Sequence, residues 1–410
     1  MKRAEVPSKA RRWRDETALV LDELRTADIV VVTMWSLFVV VGIVDLYQYY
    51  RRGIFGLDFA TVWSAAHALL HHHTKWGQFV YLPGCLVFVF PLAVIPLSLA
   101  RLIVYPVQFL GLGYTFWAIT RISKRSLGSR GVAGAALALA VAGQVGVAAN
   151  YENFTLLLVP LAAAFFLAVD RSHYTAAAIA LGISLTIKPL LLPLLVVFLV
   201  RRLWRYAAIA VIIPLALTAL AFVVIAISGS PAQFFHEVFV TFGSNNAAPV
   251  NASISGVGDV LGFPSWLTDF LRVVLALACI DVSRRMWRRP FGSPGEQAIW
   301  LTAPLLVGMI LCFTFAWAYY AVLFLPLALI TLDRKDLGAR LILAGAFIAL
   351  LLPVLPDLIK GYPSPHPTDD IALLGLLVLL AGTALMARSS IVFGAEEPSV
   401  PRVPVGAGVS

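Results

Sequence analysis

Long apolar runs separated by short polar connectors recur along nearly the whole chain. A run of roughly 17 to 25 apolar residues can cross a bilayer as a helix, which satisfies its own backbone hydrogen bonds in hydrocarbon. The first run is about Ile29 to Tyr47. Others lie near 83–97, 101–120, 131–149, 152–169, 175–200, 207–227, 266–283, 296–316, 319–332, 341–356 and 371–388. The pattern predicts an all-α polytopic membrane protein with about 11–13 transmembrane helices. Lys188-Pro189 interrupts the run at 175–200. Proline removes a backbone donor and breaks the helix, so two half-helices fit there and spacing alone admits either parity for residues 80–200.

After the first span the period changes. Phe59, Val62, Trp63, Ala66 and Leu70 recur at steps of three and four, which predicts a short helix from Asp58 to Leu70. It is too short to span, and its apolar face suits the membrane interface, with Trp63 and Trp76 at headgroup level.

Charge orients the chain. Lys2, Arg3, Lys9, Arg11, Arg12 and Arg14 crowd the polar segment 1–28, and RRLWR, RRMWRR and DRKD mark later connectors. Basic flanks stay in the cytoplasm, so the N-terminus lies inside and Asp58 outside. Residues 29–388 read as one transmembrane domain, and the Pro- and Gly-rich segment 389–410 as a flexible cytoplasmic tail. No cleavable signal peptide is expected, since no small-residue cleavage pattern follows the first run.

Composition agrees: 60% of the 410 residues are hydrophobic and 13% charged. The net charge of +9 follows from membrane topology and does not call for nucleic acid. Cys85, Cys279 and Cys312 are scattered within apolar runs and read as core residues. There is no GxxxxGK[ST] loop and no dinucleotide fingerprint, which argues against an ATP-driven pump and against any nucleotide cofactor.

Polar residues inside a bilayer are costly and usually functional. Asp58 is the first candidate, as a general base that takes a proton from an attacking hydroxyl, or alternatively as the N-cap of its helix. Lys188 is the second, as a partner for an anionic lipid phosphate, or as a lysine snorkelling to the interface. GQVGVAANYENF clusters Gln144, Asn150, Tyr151, Glu152 and Asn153 in a polar hairpin suited to a sugar; Glu152 is the rival base. The loop 228–265 sets Asn245, Asn246, Asn251, Ser253 and Ser255 among small residues, as a cover over an acceptor or a plain connector. Trp317, Tyr319 and Tyr320 in FAWAYY suit stacking on a sugar or isoprenoid chain, or form an interfacial belt. His67, His71, His72 and His73 have no acidic or Cys companions, so no metal site is expected.

The order of these features resembles glycosyltransferase family 87, membrane enzymes of the GT-C type. The likeness runs over roughly residues 55–330: Asp58-Phe59 with Trp63, then YLPGCLVFVFPLAVIP, the Gln144–Asn153 hairpin, GISLTIKPLLLPLL with RRLWR, the loop ending GFPSWLTDFLR, and FAWAYYAVLFLP. VNASISGVGDVLGFPSWL and AYYAVLFLP are most similar to the actinobacterial arabinofuranosyltransferases that branch arabinan. The resemblance implies a GT-C-like fold and transfer of arabinofuranose from decaprenyl-phosphate arabinofuranose to a cell-envelope glycan or glycolipid, outside the cytoplasm, with inversion. It implies Asp58 as base and Lys188 against the donor phosphate, with Tyr81, Asn150, Glu152, Asn153, Asn251, Ser253, Trp317, Tyr319 and Tyr320 around the substrates. Leu57 stands where many arabinosyl relatives carry a second acid, and Leu82 where the family has the first proline of a pair. The alternatives are a polyprenyl-phosphate-mannose-dependent mannosyltransferase and a lipid-sugar flippase or transporter.

Overall fold

The computed structural model describes residues 9–52, 56–71, 79, 81–228, 231–236, 251–313, 316–350 and 368–389. Every regular element among them is helical. In chain order these are α1 (Lys9–Arg25), α2 (Ile29–Arg52), α3 (Leu57–Leu70), α4 (Cys85–Ala93), α5 (Leu97–Ile122), α6 (Arg130–Ala140), α7 (Gly143–Asn150), α8 (Thr155–Asp170), α9 (Tyr174–Ile187), α10 (Leu195–Val200), α11 (Trp204–Ile227), α12 (Pro231–Phe235), α13 (Ile254–Val260), α14 (Ser265–Trp287), α15 (Pro294–Cys312), α16 (Leu325–Thr331), α17 (Leu337–Leu350) and α18 (Thr368–Arg388). Two 3₁₀ segments, Pro189–Leu194 and Ala318–Phe324, lead into α10 and α16.

Four described helices are long and apolar enough to cross a membrane alone: Leu97–Ile122, Trp204–Ile227, Pro294–Cys312 and Ile371–Arg388. The run at 131–149 bends by 57° between α6 and α7, and as one span it makes a fifth. Six further apolar helices, including Thr155–Asp170 and Tyr174–Ile187, are shorter. The run at 83–97 is reduced to α4, nine residues. That at 341–356 is seen only as far as Leu350, because residues 351–367 lie outside the described ones, as does the tail from 390.

Polar contacts fix the parity that spacing left open. Arg121 at the end of α5 pairs with Glu23 of α1 at 2.8 Å, and Arg171 after α8 pairs with Glu16 at 2.8 Å. Arg130 at the start of α6 meets Asp28, just before α2. The C-termini of α5 and α8 and the N-terminus of α6 therefore share one end of the bundle with α1. Arg201, after α10, donates to Gln297 at 3.0 Å at the start of α15, and Arg334 pairs with Glu296 at 2.9 Å. The basic connectors thus gather at this end, and the hairpin between α7 and α8 lies at the other. Since α9 leaves the basic end and α10 returns to it at Arg201, the Lys188-Pro189 break is the apex of a re-entrant pair.

The helices α17 and α18 pack backbone to backbone through glycines. A Cβ on Gly345 would come within 2.5 Å of Leu379 N and 2.6 Å of Gly375 O, and one on Gly382 within 2.6 Å of Gly338 O. Small residues allow such approach where lipid offers no hydrophobic drive to hold helices together. Gly345→Leu should therefore destabilise the fold by roughly 1–3 kcal/mol through overpacking. A thermal melt in detergent that matches the parent would disprove this role.

Candidate functional site

The site forms where α3 docks on the α7–α8 hairpin. Gly56 adopts the left-handed conformation (φ 72°) and turns the chain into α3. Its N–H donates to Asn150 O at 2.6 Å, and the N–H groups of Asp58 and Phe59 donate to Tyr151 O at 3.0 and 3.4 Å. The hairpin backbone thus satisfies donors that a helix start leaves open. This corrects the expectation of Asp58 as N-cap: Gly56 holds that position and no side chain caps α3. The Asp58 carboxylate is left for other work, and its Oδ2 accepts from Asn153 Nδ2.

Asn153 is the hub. Its Nδ2 also donates to Tyr319 Oη at 2.7 Å, and its Oδ1 accepts from Lys188 Nζ at 2.9 Å and Thr155 N at 2.9 Å. The orientation of the amide is chemically forced, since an ammonium only donates and a carboxylate only accepts. Gln108 Nε2 on α5 holds the Asn153 carbonyl at 3.1 Å. One carboxamide therefore lies between the Asp58 carboxylate and the Lys188 ammonium. Among the described residues no ion pair joins Asp58 to Lys188, so each charge is held without cancelling the other.

Lys188 sits at the end of α9 in extended backbone (φ −148°, ψ 138°), as the residue before a proline prefers. Its ammonium also reaches Thr155 Oγ1 at 3.3 Å and lies 4.8 Å from the Tyr81 ring centre and 5.2 Å from that of Tyr320. Two ring faces partly replace the water lost by the cation. This is a half-buried seat built from an amide, a hydroxyl and two rings, not a lysine free to snorkel to an interface. Tyr319 stacks on Trp317 at 5.6 Å and meets Tyr320 edge-on at 5.3 Å, so FAWAYY delivers its rings to the site instead of a belt.

Burial raises the Asp58 pKa above the usual carboxylate value, while Lys188 and the Asn153 hydrogen bond hold it down. A carboxyl so poised is a better base than one in free solution.

The remaining candidates divide. Asn251 Oδ1 accepts from Ser253 N at 3.1 Å and Ala316 N at 2.9 Å, and Ala252 N donates to Ala316 O at 2.7 Å. Ser253 Oγ caps α13 by accepting from Gly256 N at 3.2 Å. Both residues fasten the loop beside FAWAYY. Asn245 and Asn246 lie outside the described residues, as do His72, His73 and Trp76. Trp63 is half-buried and donates Nε1 to Leu92 O at 2.9 Å, so it pins α3 to α4. His67 stacks on Trp63 at 4.5 Å with Nδ1 2.8 Å from Ala93 O. No group of three metal-ligating side chains occurs among the described residues.

Glu152 has left-handed backbone (φ 49°) and is 0% exposed. Its side chain turns from the Asn153 hub toward Gly56 and Arg101. Burial pushes its pKa up to about 8 against the pull of Arg101. The folded protein therefore holds this proton where an ordinary glutamate, titrating near 4.5, has lost it. Protons are bound more tightly in the folded state, so stability falls as pH rises from about 4.5 to about 8. The melting temperature should decline across that window, and Glu152→Gln should flatten the decline; equal slopes would count against it.

Thr155, Gln108 and Arg101 escaped sequence reading. Gln108 and Arg101 sit on one α5 face at a spacing of seven, inside a run counted as apolar, and that spacing was the available signal. Thr155 immediately follows the hairpin but is an unremarkable helix residue on sequence grounds.

The model of glycosyltransferase family 87 matches residues 79–352. A Mycobacterium tuberculosis protein named alpha-(1->3)-arabinofuranosyltransferase is 26% identical over 258 residues, 61% of this chain and 58% of that protein. A Corynebacterium glutamicum protein of the same name is 25% identical over 314 residues, 73% of this chain and 72% of that one. The matched part thus spans 58% of the length of the mycobacterial relative.

Proposed function

Because the chain belongs to glycosyltransferase family 87, we propose that it transfers arabinofuranose from a polyprenyl-phosphate donor, such as decaprenyl-phosphate arabinofuranose, to an envelope glycan or glycolipid. The single observation that carries the reading is the Asn153 bridge between the Asp58 carboxylate and the Lys188 ammonium. Such a donor carries its own leaving group, so the enzyme needs one base, one cation and alignment.

Lys188 binds the donor phosphate, its charge shielded from lipid by Tyr81 and Tyr320. Asp58 takes the proton from one acceptor hydroxyl. That oxygen attacks the anomeric carbon on the face opposite the phosphate and forms the new glycosidic bond. The bond from the anomeric carbon to the phosphate oxygen breaks, and its electron pair leaves with the polyprenyl phosphate, whose charge Lys188 offsets. The configuration inverts. Trp317 and Tyr319 supply stacking surface for the sugars, and Asn150 lies against the start of α3 as a further polar contact. Neither metal nor organic cofactor has a step here. The names of the relatives support an α(1→3) linkage as the first to test.

The site lies at the end of the bundle opposite α1. On this reading α1 and the basic connectors lie in the cytoplasm and the chemistry on the outer face of the plasma membrane.

Purified protein with lipid-linked arabinose or lipid-linked mannose and an arabinofuranosyl acceptor tests the reading. Arabinosylated product in detergent is expected. Product only from the mannose donor, or movement of lipid-linked sugar across vesicles without product, would overturn it. Asn153→Ala removes the spacer and lets carboxylate and ammonium collapse onto each other; turnover should drop about tenfold or more, since two charge-assisted hydrogen bonds are lost. Parent-like turnover would remove Asn153 from the machinery.

A further inference from the structure

Beside Gly56, a second set of polar groups goes unused. Both carboxylate oxygens of Glu152 and the Nε of Arg101 are buried without a hydrogen-bond partner. A Cβ on Gly56 would come within 2.5 Å of Glu152 Oε2 and 2.7 Å of Arg101 Nε. The two groups therefore face the same glycine carbon, near enough for one oxygen at ordinary hydrogen-bond distance to touch both. Asn150 Oδ1 and Gln108 Oε1, on the elements that carry Glu152 and Arg101, are also buried and unpartnered.

Folding gives these side-chain atoms no partner, and a buried carboxyl group without one is costly. The unused atoms are mostly acceptors, so a fitting ligand must bring donors. A hydroxyl both donates and accepts, and can give its proton to Glu152 while accepting from Arg101. Arg101 is half-buried, so this side of the pair is the one nearest the surface.

We propose that Glu152 and Arg101, facing each other across Gly56, form a subsite for hydroxyl groups of the acceptor sugar, next to the base Asp58. The subsite rests on the glycosyl-transfer reading above. It places the acceptor on the hairpin side of α3 and leaves the Lys188 seat to the donor. Glu152 is then a binding residue and not a second base.

The test uses the full chain in detergent with an octyl arabinofuranosyl disaccharide as probe. Bound probe is read from the thermal shift it gives without donor, and acceptor and donor KM are read with lipid-linked arabinose. Arg101→Met and Glu152→Gly should each raise the probe concentration for half-maximal shift, and the acceptor KM, about tenfold, with donor KM within twofold. Glu152→Gly, which relieves both the backbone and the buried carboxylate, should also melt above the parent while binding acceptor worse. A merely structural glutamate predicts no such split. An unchanged probe shift in both variants, no shift in the parent, or equal changes in donor and acceptor KM overturns the subsite. Failure of transfer with a probe shift lost in both variants overturns the reaction assigned above and leaves the subsite standing.

Discussion

Asp58→Asn should cut turnover by about 10²- to 10⁴-fold, the usual contribution of a general base. The substitution keeps size and shape and removes basicity. Stability should barely move, because α3 is capped by the hairpin carbonyls and by Gly56, not by the Asp58 side chain. For the same reason Asp58→Ala should carry no capping penalty, and both variants should melt near the parent. Since burial raises the Asp58 pKa, the acid limb of the rate profile should lie above that of an ordinary aspartate, with activity lost as pH falls through it. An Asn variant that turns over like the parent would refute the assignment. A large fall in melting temperature would show that the carboxylate has a structural duty the hydrogen bonds do not reveal.

The second large effect is expected at Lys188. Lys188→Met fills similar volume but removes the one ammonium in contact with Asn153, Thr155, Tyr81 and Tyr320. Hydrogen bonds to a charged partner are worth roughly 1.5–3 kcal/mol, so donor KM should rise about 10- to 100-fold. The neutral chain is easier to bury, so folding should survive. Acceptor KM should stay near the parent value, which separates this variant from those at Arg101 and Glu152. Equal donor dependence in parent and variant would leave the cation as a structural plug. Arg in place of Lys should rescue only in part, because a planar fork does not match a seat made for a compact ammonium.

The two charges work as a pair only because something keeps them apart. An acid and an ammonium in direct contact would neutralise each other, and neither would meet a substrate undiminished. The amide of Asn153 satisfies both and offers no proton to exchange at this pH. Its position is set in turn by Gln108 on α5 and by Tyr319. Four separate parts of the chain converge on one residue.

Much of this could be read from the sequence, for identifiable reasons. Apolar runs of bilayer length force helices, because hydrocarbon offers no other partner to the backbone. The cost of a charge among apolar residues singled out Lys188, and an acid opening an amphipathic stretch singled out Asp58. The hairpin residues and FAWAYY stood out for the same reason. What sequence cannot encode locally is which polar atoms meet. Asn153 reads as one hydrogen-bonding residue among several until α8 and α9 place it between Asp58 and Lys188. Asn251 and Ser253 read as sugar ligands, and tertiary structure adds contacts of their own to Ala316 and to the first turn of α13. The parity of residues 80–200 rested on Arg121, Arg130 and Arg171, whose partners in and beside α1 are about a hundred residues or more away. Hydropathy determined that the chain is a helical membrane protein, because burial in lipid depends on composition over a window. The site was decided by tertiary structure, because a hydrogen bond depends on direction and distance between residues that the chain itself leaves far apart.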